Sequence, residues 1–165
     1  MAESMQVATR ASQTPALREK EETRNQFLTF SLRGEVLAME VRFVKEILQY
    51  GNITEVPLAP PTVRGVMNLR GAVIPVIDLA VRFGRPATEA DRRTCIVILE
   101  VEEEDKATVM GIVVDHVSEV LEIAETDIEP APTFGSTLRA DFVRGVGKIG
   151  GRFVILLDIE RVLSA

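Results

Sequence analysis

Residues 63–79 read VRGVMNLRGAVIPVIDL, and residues 143–159 read VRGVGKIGGRFVILLDI. Both stretches open with Val-Arg-Gly-Val, pass through a glycine, and end in an apolar run that reaches an aspartate. So many matches in one unbroken register, from Val63 opposite Val143 to Asp78 opposite Asp158, indicate an internal repeat. The chain is therefore expected to fold as two copies of one structural unit.

Upstream of these stretches the repeat continues in a slightly shorter register. Three residues of the first copy match three of the second: Val44 with Val117, Glu46 with Glu119, and Ile47 with Val120. A proline cluster at 57–60 also matches one at 130–132. The second copy thus carries seven extra residues within segment 133–142, where we expect a surface insertion. Units of roughly 65–75 residues are near the lower limit for an independent core, so the two copies should share apolar surface.

Each copy contains about five short apolar runs separated by turn signals, a pattern typical of small antiparallel barrels. Segment 42–51 is ambiguous, because it fits either one or two helical turns or a short turn followed by a strand. Pro75 has no backbone N–H, so we expect it on an edge strand or at a bulge. Asp78 and Asp158 each end an apolar run and are expected to cap a short helix.

The repeat predicts an all-β fold of two tandem five-stranded antiparallel barrels that share a hydrophobic core. Residues 25–90 would form the first barrel and residues 91–165 the second, with residues 85–94 as a polar linker between the copies. Residues 1–24 carry four basic and four acidic groups and few bulky apolar side chains. They are expected to form a disordered arm.

The composition is that of a soluble globular protein, with 46% hydrophobic and 27% charged residues. No apolar run approaches the roughly 20 residues of a membrane-spanning helix, and no secretory signal is visible. The single cysteine, Cys95, lies in an apolar run and excludes an intramolecular disulfide. It is expected to be a small buried side chain. These features predict a cytoplasmic protein.

The net charge of −6 is unevenly distributed along the chain. Residues 25–90 carry seven basic and six acidic groups, whereas residues 91–165 carry eight basic and fifteen acidic groups. The chain has no tryptophan and one tyrosine. A nucleic-acid-binding barrel needs a basic face with exposed aromatic side chains, so nucleic acid is not expected as a partner. The asymmetry favours two halves that present different surfaces to different proteins.

The residues offer little for catalysis or ligand binding. The only histidine, His116, has no cysteine or histidine cluster to join, so no zinc site, catalytic triad or cofactor is expected. Residues 145–150 match the dinucleotide fingerprint G-x-G-x-x-G, which requires a helix directly after it. The residues that follow, 152–159, predict a strand instead. A nucleotide-dependent enzyme is therefore the weaker alternative.

Glu46 and Arg70 are candidates for a polar binding feature. Glu46 interrupts an apolar stretch, and Arg70 lies in a predicted turn between two strands. If the fold brings them together, they form a carboxylate–guanidinium pair. Such a pair is either an exposed contact worth about 0–1 kcal/mol or a fixed feature of a binding groove. Their spacing alone favours the exposed contact.

The stretch NLRGAVIPVIDL (68–79) resembles the signature of the CheW family of bacterial chemotaxis coupling proteins. Further segments similar to the family occur in the same order: FLTFSL (27–32), VKEI (44–47), VRGV (63–66), GIVVD (111–115) and VSEVLEI (117–123). The resemblance covers residues 25–163. It implies two SH3-like five-stranded barrels packed on a common core, in an adaptor without enzymatic activity.

The resemblance also implies partners, namely the histidine kinase CheA and the cytoplasmic tips of methyl-accepting chemotaxis receptors. A CheA regulatory domain of the same fold would contact the first barrel, and the receptor's helical hairpin would lie near the groove between the barrels. The positions implied for the kinase contact are Leu28, Val41, Val44 and Ile47. The positions implied for the receptor contact are Glu46, Arg70, Gly71, Val117 and Val120. In the family the equivalents of Glu46 and Arg70 form an ion pair, which favours the groove feature.

Two questions stay open at this point. His116 stands beside the implied groove, where the family often has a small residue, and is a candidate for tuning receptor choice or pH sensitivity. A CheW-like adaptor of a non-motility chemosensory pathway is the close alternative to chemotaxis. The sequence does not separate these two functions.

Overall fold

A computed structural model describes residues 26–130 and 140–164 of the chain. The strands in these residues are β1 (Gln26–Leu32), β2 (Glu35–Glu40), β3 (Val44–Gln49), β4 (Val63–Leu69), β5 (Ala72–Asp78), β6 (Cys95–Glu103), β7 (Lys106–Val114), β8 (His116–Glu122), β9 (Ile128–Glu129), β10 (Val143–Ile149) and β11 (Arg152–Leu157). The helices are α1 (Leu79–Arg82) and α2 (Ile159–Leu163), and the 3-10 turns are Val41–Phe43, Glu125–Asp127 and Ala140–Phe142. Within the same ranges no helix has the length and hydropathy to cross a membrane. The expected arm and most of the expected insertion lie outside the described residues.

The strands form two sheets, which confirms the all-β class and the two-barrel architecture. Sheet A has the order β8-β1-β2-β11-β10-β9, and sheet B has the order β3-β6-β7-β5-β4. Sheet A thus has a sixth strand, the two-residue β9, beyond the five expected. The pairing is not purely antiparallel either, because β2 pairs with β11, and β5 with β7, in parallel.

Each sheet draws strands from both copies of the repeat. Hairpin β1–β2 of the first copy pairs with β8 and β11 of the second copy. In return, hairpin β6–β7 of the second copy pairs with β3 and β5 of the first. The boundary expected between residues 90 and 91 therefore does not separate the two sheets. Alternation along a strand specifies which face is buried but not which strand lies beside it, so the sequence pattern did not reveal this exchange.

The buried apolar side chains form one shared cluster and two smaller ones. The shared cluster contains residues of both copies, among them Phe30, Leu37, Leu79, Ile112 and Leu157. The second cluster consists of residues from sheet B, and the third lies in and beside sheet A. The shared core expected from the repeat is thus confirmed. Because its members come from both copies, neither half of the chain contains a complete core.

Several local predictions can be compared with the strands. Segment 42–51 forms a 3-10 turn followed by β3, which is the second of its two alternatives. Strand β10 turns directly into β11, so the glycine motif at 145–150 does not precede a helix. The nucleotide-binding interpretation therefore lacks the helix that it requires.

Cys95 is half-buried rather than buried, and its Sγ lies 3.3 Å from the carbonyl oxygen of Arg93.

The prediction for Pro75 was wrong, because β5 lies between β7 and β4 and is not an edge strand. Pro75 pairs with Val66 of β4, and the irregularity in that pairing lies elsewhere, between Val63 and Gly65. The parallel pairing of β5 with β7 involves only residues 76–78. The missing N–H of Pro75 thus falls outside that pairing, which is how an interior strand tolerates the proline.

Asp78 and Asp158 cap α1 and α2 as expected. Oδ1 of Asp78 accepts a hydrogen bond from the N–H of Val81 at 3.3 Å, and Oδ1 of Asp158 accepts one from the N–H of Arg161 at 3.2 Å. The two carboxylates differ in their surroundings, since the side chain of Asp78 is 1% exposed and that of Asp158 is 34% exposed. The same capping role is therefore combined with different burial in the two copies.

Asp78 is also the centre of a buried polar network. Its Oδ2 accepts hydrogen bonds from Arg64 at 2.9 Å and from the N–H of Thr88 at 3.1 Å. Arg64 in turn donates to the hydroxyl of Tyr50 and to the carbonyl oxygen of Thr88. Burial by itself lowers the pKa of Arg64, but the interactions with Tyr50 and Asp78 outweigh burial and raise that pKa above its ordinary value. The network therefore joins the linker to β4 and β5 through a charged guanidinium.

We expect Asp78→Ala to destabilise the protein much more than Asp158→Ala. The first change removes a cap and leaves the Arg64 charge unpaired in a half-buried site, which costs about 3–5 kcal/mol. The second removes a cap beside an exposed arginine and costs about 1 kcal/mol. Urea denaturation followed by circular dichroism measures both free energies of unfolding. Equal losses for the two variants would contradict the network's role.

The exchanged hairpins predict that the two halves of the chain fold only together. Residues 1–88 and 89–165, produced separately, should each lack stable tertiary structure, because each leaves strands unpaired and the shared core incomplete. Mixed in equal amounts, they should form a folded 1:1 complex. Size-exclusion chromatography with light scattering and amide proton NMR spectra check this. A dispersed, folded spectrum from either half alone would show that the copies are independent domains.

Candidate interaction surface

Glu46 and Arg70 form the ion pair that the sequence suggested. Glu46 lies on β3, and Arg70 lies in the turn between β4 and β5. An Nη atom of Arg70 is 2.6 Å from Oε2 of Glu46, with 73% of the arginine side chain exposed and 24% of the glutamate. The guanidinium therefore faces solvent while its carboxylate partner is held against the sheet. This arrangement presents a fixed, charged feature at the protein surface.

The backbone at Arg70 is unusual for a residue with a side chain. Arg70 has φ 52 and Gly71 has φ 89, as in a two-residue type I′ hairpin turn. The N–H of Gly71 donates to Oδ1 of Asn68 at 2.9 Å, which holds the turn. Non-glycine residues occupy this region at a cost of about 1 kcal/mol or more. The corresponding turn of β10–β11 has glycine at both positions, Gly150 and Gly151, with φ 54 and 77. The turn accordingly carries a side chain only in the copy where that side chain meets a carboxylate.

Strand β3 is an edge strand of sheet B, and its side chains alternate between two environments. Val44, Glu46 and Leu48 are half-buried, and the residues between them are exposed. One of those exposed residues is Ile47, with 42% of its surface accessible. An edge strand also leaves backbone N–H and C=O groups without a neighbouring strand. Strand β3 therefore offers both apolar side chains and backbone groups to a partner.

The residues implied for the kinase contact do not form one exposed face. Leu28 is only 3% exposed and belongs to the shared core, so its proposed contact role is corrected to a structural one. Strand β1 lies between β8 and β2, and its neighbours in sequence are buried on both faces of the sheet. Both faces of β1 are therefore covered, and Leu28 does not reach the surface. Val41 and Val44 pack partly against the shared core, whereas Ile47 is exposed.

The residues implied for the receptor contact are divided between two sheet edges. Glu46, Arg70 and Gly71 lie on β3 and the β4–β5 turn of sheet B. Val117 and Val120 lie on β8, which is the corresponding edge strand of sheet A. Val117 packs partly against the shared core, as Val44 of β3 does, and Val120 is exposed. The two edge strands thus meet a common core from corresponding positions of the repeat.

His116 lies at the start of β8 and is bound within the protein. Its Nε2 is 3.0 Å from the hydroxyl oxygen of Ser31 on β1. It lines a polar surface hollow together with Arg33, Asp115 and residues of the linker between the copies. Across residues 26–130 and 140–164, no three His, Cys, Asp or Glu side chains are grouped as a metal site would need.

Sequence reasoning singled out Glu46 but gave no role to its repeat partner, Glu119. The signal was present in the upstream register of the repeat, which aligns the two glutamates. The downstream register likewise aligns Arg70 with Gly150, so the sequence also contained the loss of the arginine. Only the observed Arg70–Glu46 pair gives this difference a structural meaning.

Comparison with known proteins identifies the family. A model of the CheW-like domain matches residues 26–165. The chemotaxis protein CheW of Klebsiella aerogenes is 39% identical over 140 residues, which make up 85% of this chain and 82% of the relative. The chemotaxis protein CheW of Bacillus subtilis is 35% identical over 142 residues, or 86% of this chain and 88% of the relative. The crystal structure of the scaffolding protein TtCheW from Thermoanaerobacter tengcongensis has a TM-score of 0.75 and 32% identity, covering 86% of this chain and 88% of that one.

Two β-barrels on a shared core, with an exposed ion pair beside an edge strand, define the class as an all-β, two-barrel protein. The chain belongs to the CheW family of chemotaxis scaffold proteins. The family resemblance noted at residues 68–79 is thereby confirmed.

We expect Arg70→Ala and Arg70→Gly to fold normally, because an exposed ion pair contributes about 0–1 kcal/mol. Arg70→Gly should be the more stable of the two, since glycine adopts positive φ without strain and alanine does not. Urea denaturation of both variants and the parent protein measures the difference. A loss of several kcal/mol in both variants would show that the pair is structural.

Proposed function

We propose that this protein is a non-enzymatic adaptor that joins the histidine kinase CheA to the cytoplasmic tips of methyl-accepting chemotaxis receptors. It would act in the cytoplasm and be held at membrane receptor arrays through protein contacts alone. The observation that carries the proposal is the solvent-facing Arg70, fixed by Glu46 in a strained turn of a CheW-family scaffold. Arg33, in the β1–β2 turn, has the same φ of 52, so the ion pair with Glu46 rather than the backbone conformation distinguishes Arg70 and supports recognition at this surface.

The kinase contact is assigned to the edge of sheet B. Ile47 is exposed on β3, and Val41 and Val44 are half-buried beside the shared core. A barrel of similar fold can pack edge-on against such a strand and use both apolar side chains and free backbone groups. An ion pair between Lys45 and Glu100, 3.2 Å apart, borders this surface and limits the register of an incoming strand. Leu28 is omitted from the contact because it is buried.

The receptor contact is assigned to Glu46, Arg70 and Gly71 together with Val117 and Val120. A receptor tip is a helical hairpin, and an amphipathic helix binds where apolar side chains are bordered by fixed polar groups. Val120 supplies exposed apolar surface, and the guanidinium of Arg70 supplies donors for carbonyl or carboxylate oxygens. Gly71 keeps the turn free of a second side chain next to Arg70. Charge and shape together would thus select the helix and its orientation.

As a mechanism, the adaptor changes no covalent bond. It binds kinase and receptor at once, and the receptor state biases kinase activity if the two receptor states differ in affinity for the assembled complex. A tenfold difference in affinity corresponds to about 1.4 kcal/mol, which shifts a two-state kinase equilibrium by the same factor. The adaptor of a non-motility chemosensory pathway would work by the same contacts with different partners.

We expect Ile47→Asp to weaken binding to the CheA regulatory domain by tenfold or more while leaving the fold unchanged. The new carboxylate is exposed in the free protein but loses water in the complex, which carries a penalty of a few kcal/mol. Titration of the full chain against the purified regulatory domain of CheA from the same organism measures this affinity. Val36→Asp is the matched control, because Val36 is similarly exposed but lies on the interior strand β2.

The outcomes of this titration are distinct. Saturable binding that Ile47→Asp weakens and Val36→Asp does not would support the kinase contact on β3. Equal weakening by the two variants would contradict that location. No binding of the unchanged protein would contradict this CheA as partner and favour the kinase of a different chemosensory pathway.

A further inference from the structure

Strands β3 and β8 are corresponding strands of the repeat and occupy corresponding edges of the two sheets. Each pairs with its neighbour through one irregularity, which lies between Val44 and Glu46 in β3 and opposite Leu28–Phe30 in β8. On each strand this irregularity places a glutamate on the same face as the half-buried leucine two residues later, Glu46 with Leu48 and Glu119 with Leu121. Val44 and Val117 lie on the opposite face, towards the shared core. Glu119 therefore occupies on sheet A the place that Glu46 occupies on sheet B.

The hairpin turns that accompany these strands also correspond. The first residues of the two turns, Arg70 and Gly150, have φ values of 52 and 54. The second residues, Gly71 and Gly151, have φ values of 89 and 77. A Cβ atom placed at Gly150 would have no atom of another residue within 4 Å, apart from its chain neighbours. The β10–β11 turn thus repeats the backbone of the β4–β5 turn but carries no side chain at the position that corresponds to Arg70.

Glu119 consequently has no counterpart of Arg70. In residues 26–130 and 140–164, the recorded hydrogen bonds of Glu119 come from its backbone, whose N–H and carbonyl both bind the hydroxyl of Thr29 at 3.1 and 2.9 Å. The strand position is therefore fixed while the carboxylate is exposed. A cation at the turn, Lys148, has its ammonium 6.0 Å from the centre of the Phe153 ring. Its charge is thus directed towards an aromatic side chain of the same hairpin.

We propose that Glu119 and the Gly150–Gly151 turn form a second guanidinium site, which an arginine of the receptor hairpin occupies. This inference rests on the proposed receptor-binding function. The same fold elements bind a guanidinium within the chain at Glu46, through one Nη atom 2.6 Å from Oε2, and this pair is the precedent for an arginine at Glu119. Leu121, which is half-buried on the same face as Glu119, would contact an apolar residue beside that arginine. The excess of acidic groups in residues 91–165 adds an attractive field for a basic residue.

The test uses the full chain and the purified cytoplasmic tip fragment of a methyl-accepting receptor from the same organism, titrated at about 0.15 M salt. Glu119→Gln removes the charge and should weaken binding about tenfold, as expected for one charged hydrogen-bonded contact. Gly150→Arg supplies a guanidinium within the chain, as Arg70 does in the first copy. It should also weaken binding, because it competes with the receptor's arginine for Glu119. In the double variant the two effects should not add, since both act on one contact.

Two control variants match these changes. Glu122→Gln removes the same charge from the same strand but from the opposite face, and should bind as the unchanged protein does. Gly84→Arg adds an arginine at another glycine with positive φ and open surroundings, and should also bind normally. Thermal melting of all variants shows whether each remains folded.

The failure of this inference and the failure of the proposed function are distinguishable. If the receptor fragment binds the unchanged protein and Arg70→Ala weakens it, but Glu119→Gln and Gly150→Arg do not, the second site is overturned and the adaptor function stands. Equal weakening by Glu119→Gln and Glu122→Gln would also overturn it, because it would indicate a general effect of charge. If the unchanged protein does not bind the fragment, the proposed receptor contact fails and the second site fails with it.

Discussion

The reciprocal pairing of two hairpins is the constraint on which the rest of this structure depends. Hairpin β1–β2 completes sheet A, and hairpin β6–β7 completes sheet B, so each copy supplies strands that the other lacks. Buried backbone groups must find hydrogen-bond partners, and apolar faces must be covered. Either copy alone would leave both requirements unmet. The exchange satisfies them together and makes one cooperative unit from two halves that are each near the lower size limit for an independent core.

The same exchange determines where partners can bind. It places β1 and β6 inside their sheets and leaves β3 and β8 at corresponding edges. Both edges carry an exposed aliphatic residue and a glutamate at matching positions, but only the edge of sheet B has an arginine in the neighbouring turn. Because the turns share one backbone geometry, the difference between Arg70 and Gly150 changes the charge beside the sheet edge without altering the fold. A duplicated scaffold thereby acquires two edges with different charge.

Residues near one another in sequence were predicted well, and residues whose environment depends on distant strands were predicted poorly. Asp78 and Asp158 were correctly expected to cap helices, because a cap depends on the next three residues alone. Leu28, which the family resemblance implied for a surface contact, is buried because both faces of β1 are covered by elements from elsewhere in the chain. Pro75 was wrongly assigned to an edge or a bulge, because the sequence does not show that β5 pairs with β7 only from residue 76 onwards. The ion pair of Glu46 and Arg70 was anticipated as a possibility, and the turn's positive φ was not.

The sequence by itself determined the repeat, most of the strands and the turns, since each follows from residue pattern and spacing, and its similarity to known proteins determined the family. Only the tertiary structure decided which hairpin completes which sheet, because period-two alternation is the same for every candidate neighbour of a strand. It also decided that Arg70, in the β4–β5 turn, reaches Glu46 on β3. The contacts that distinguish the two edges join residues far apart in the sequence, and such contacts exist only once the sheets have closed.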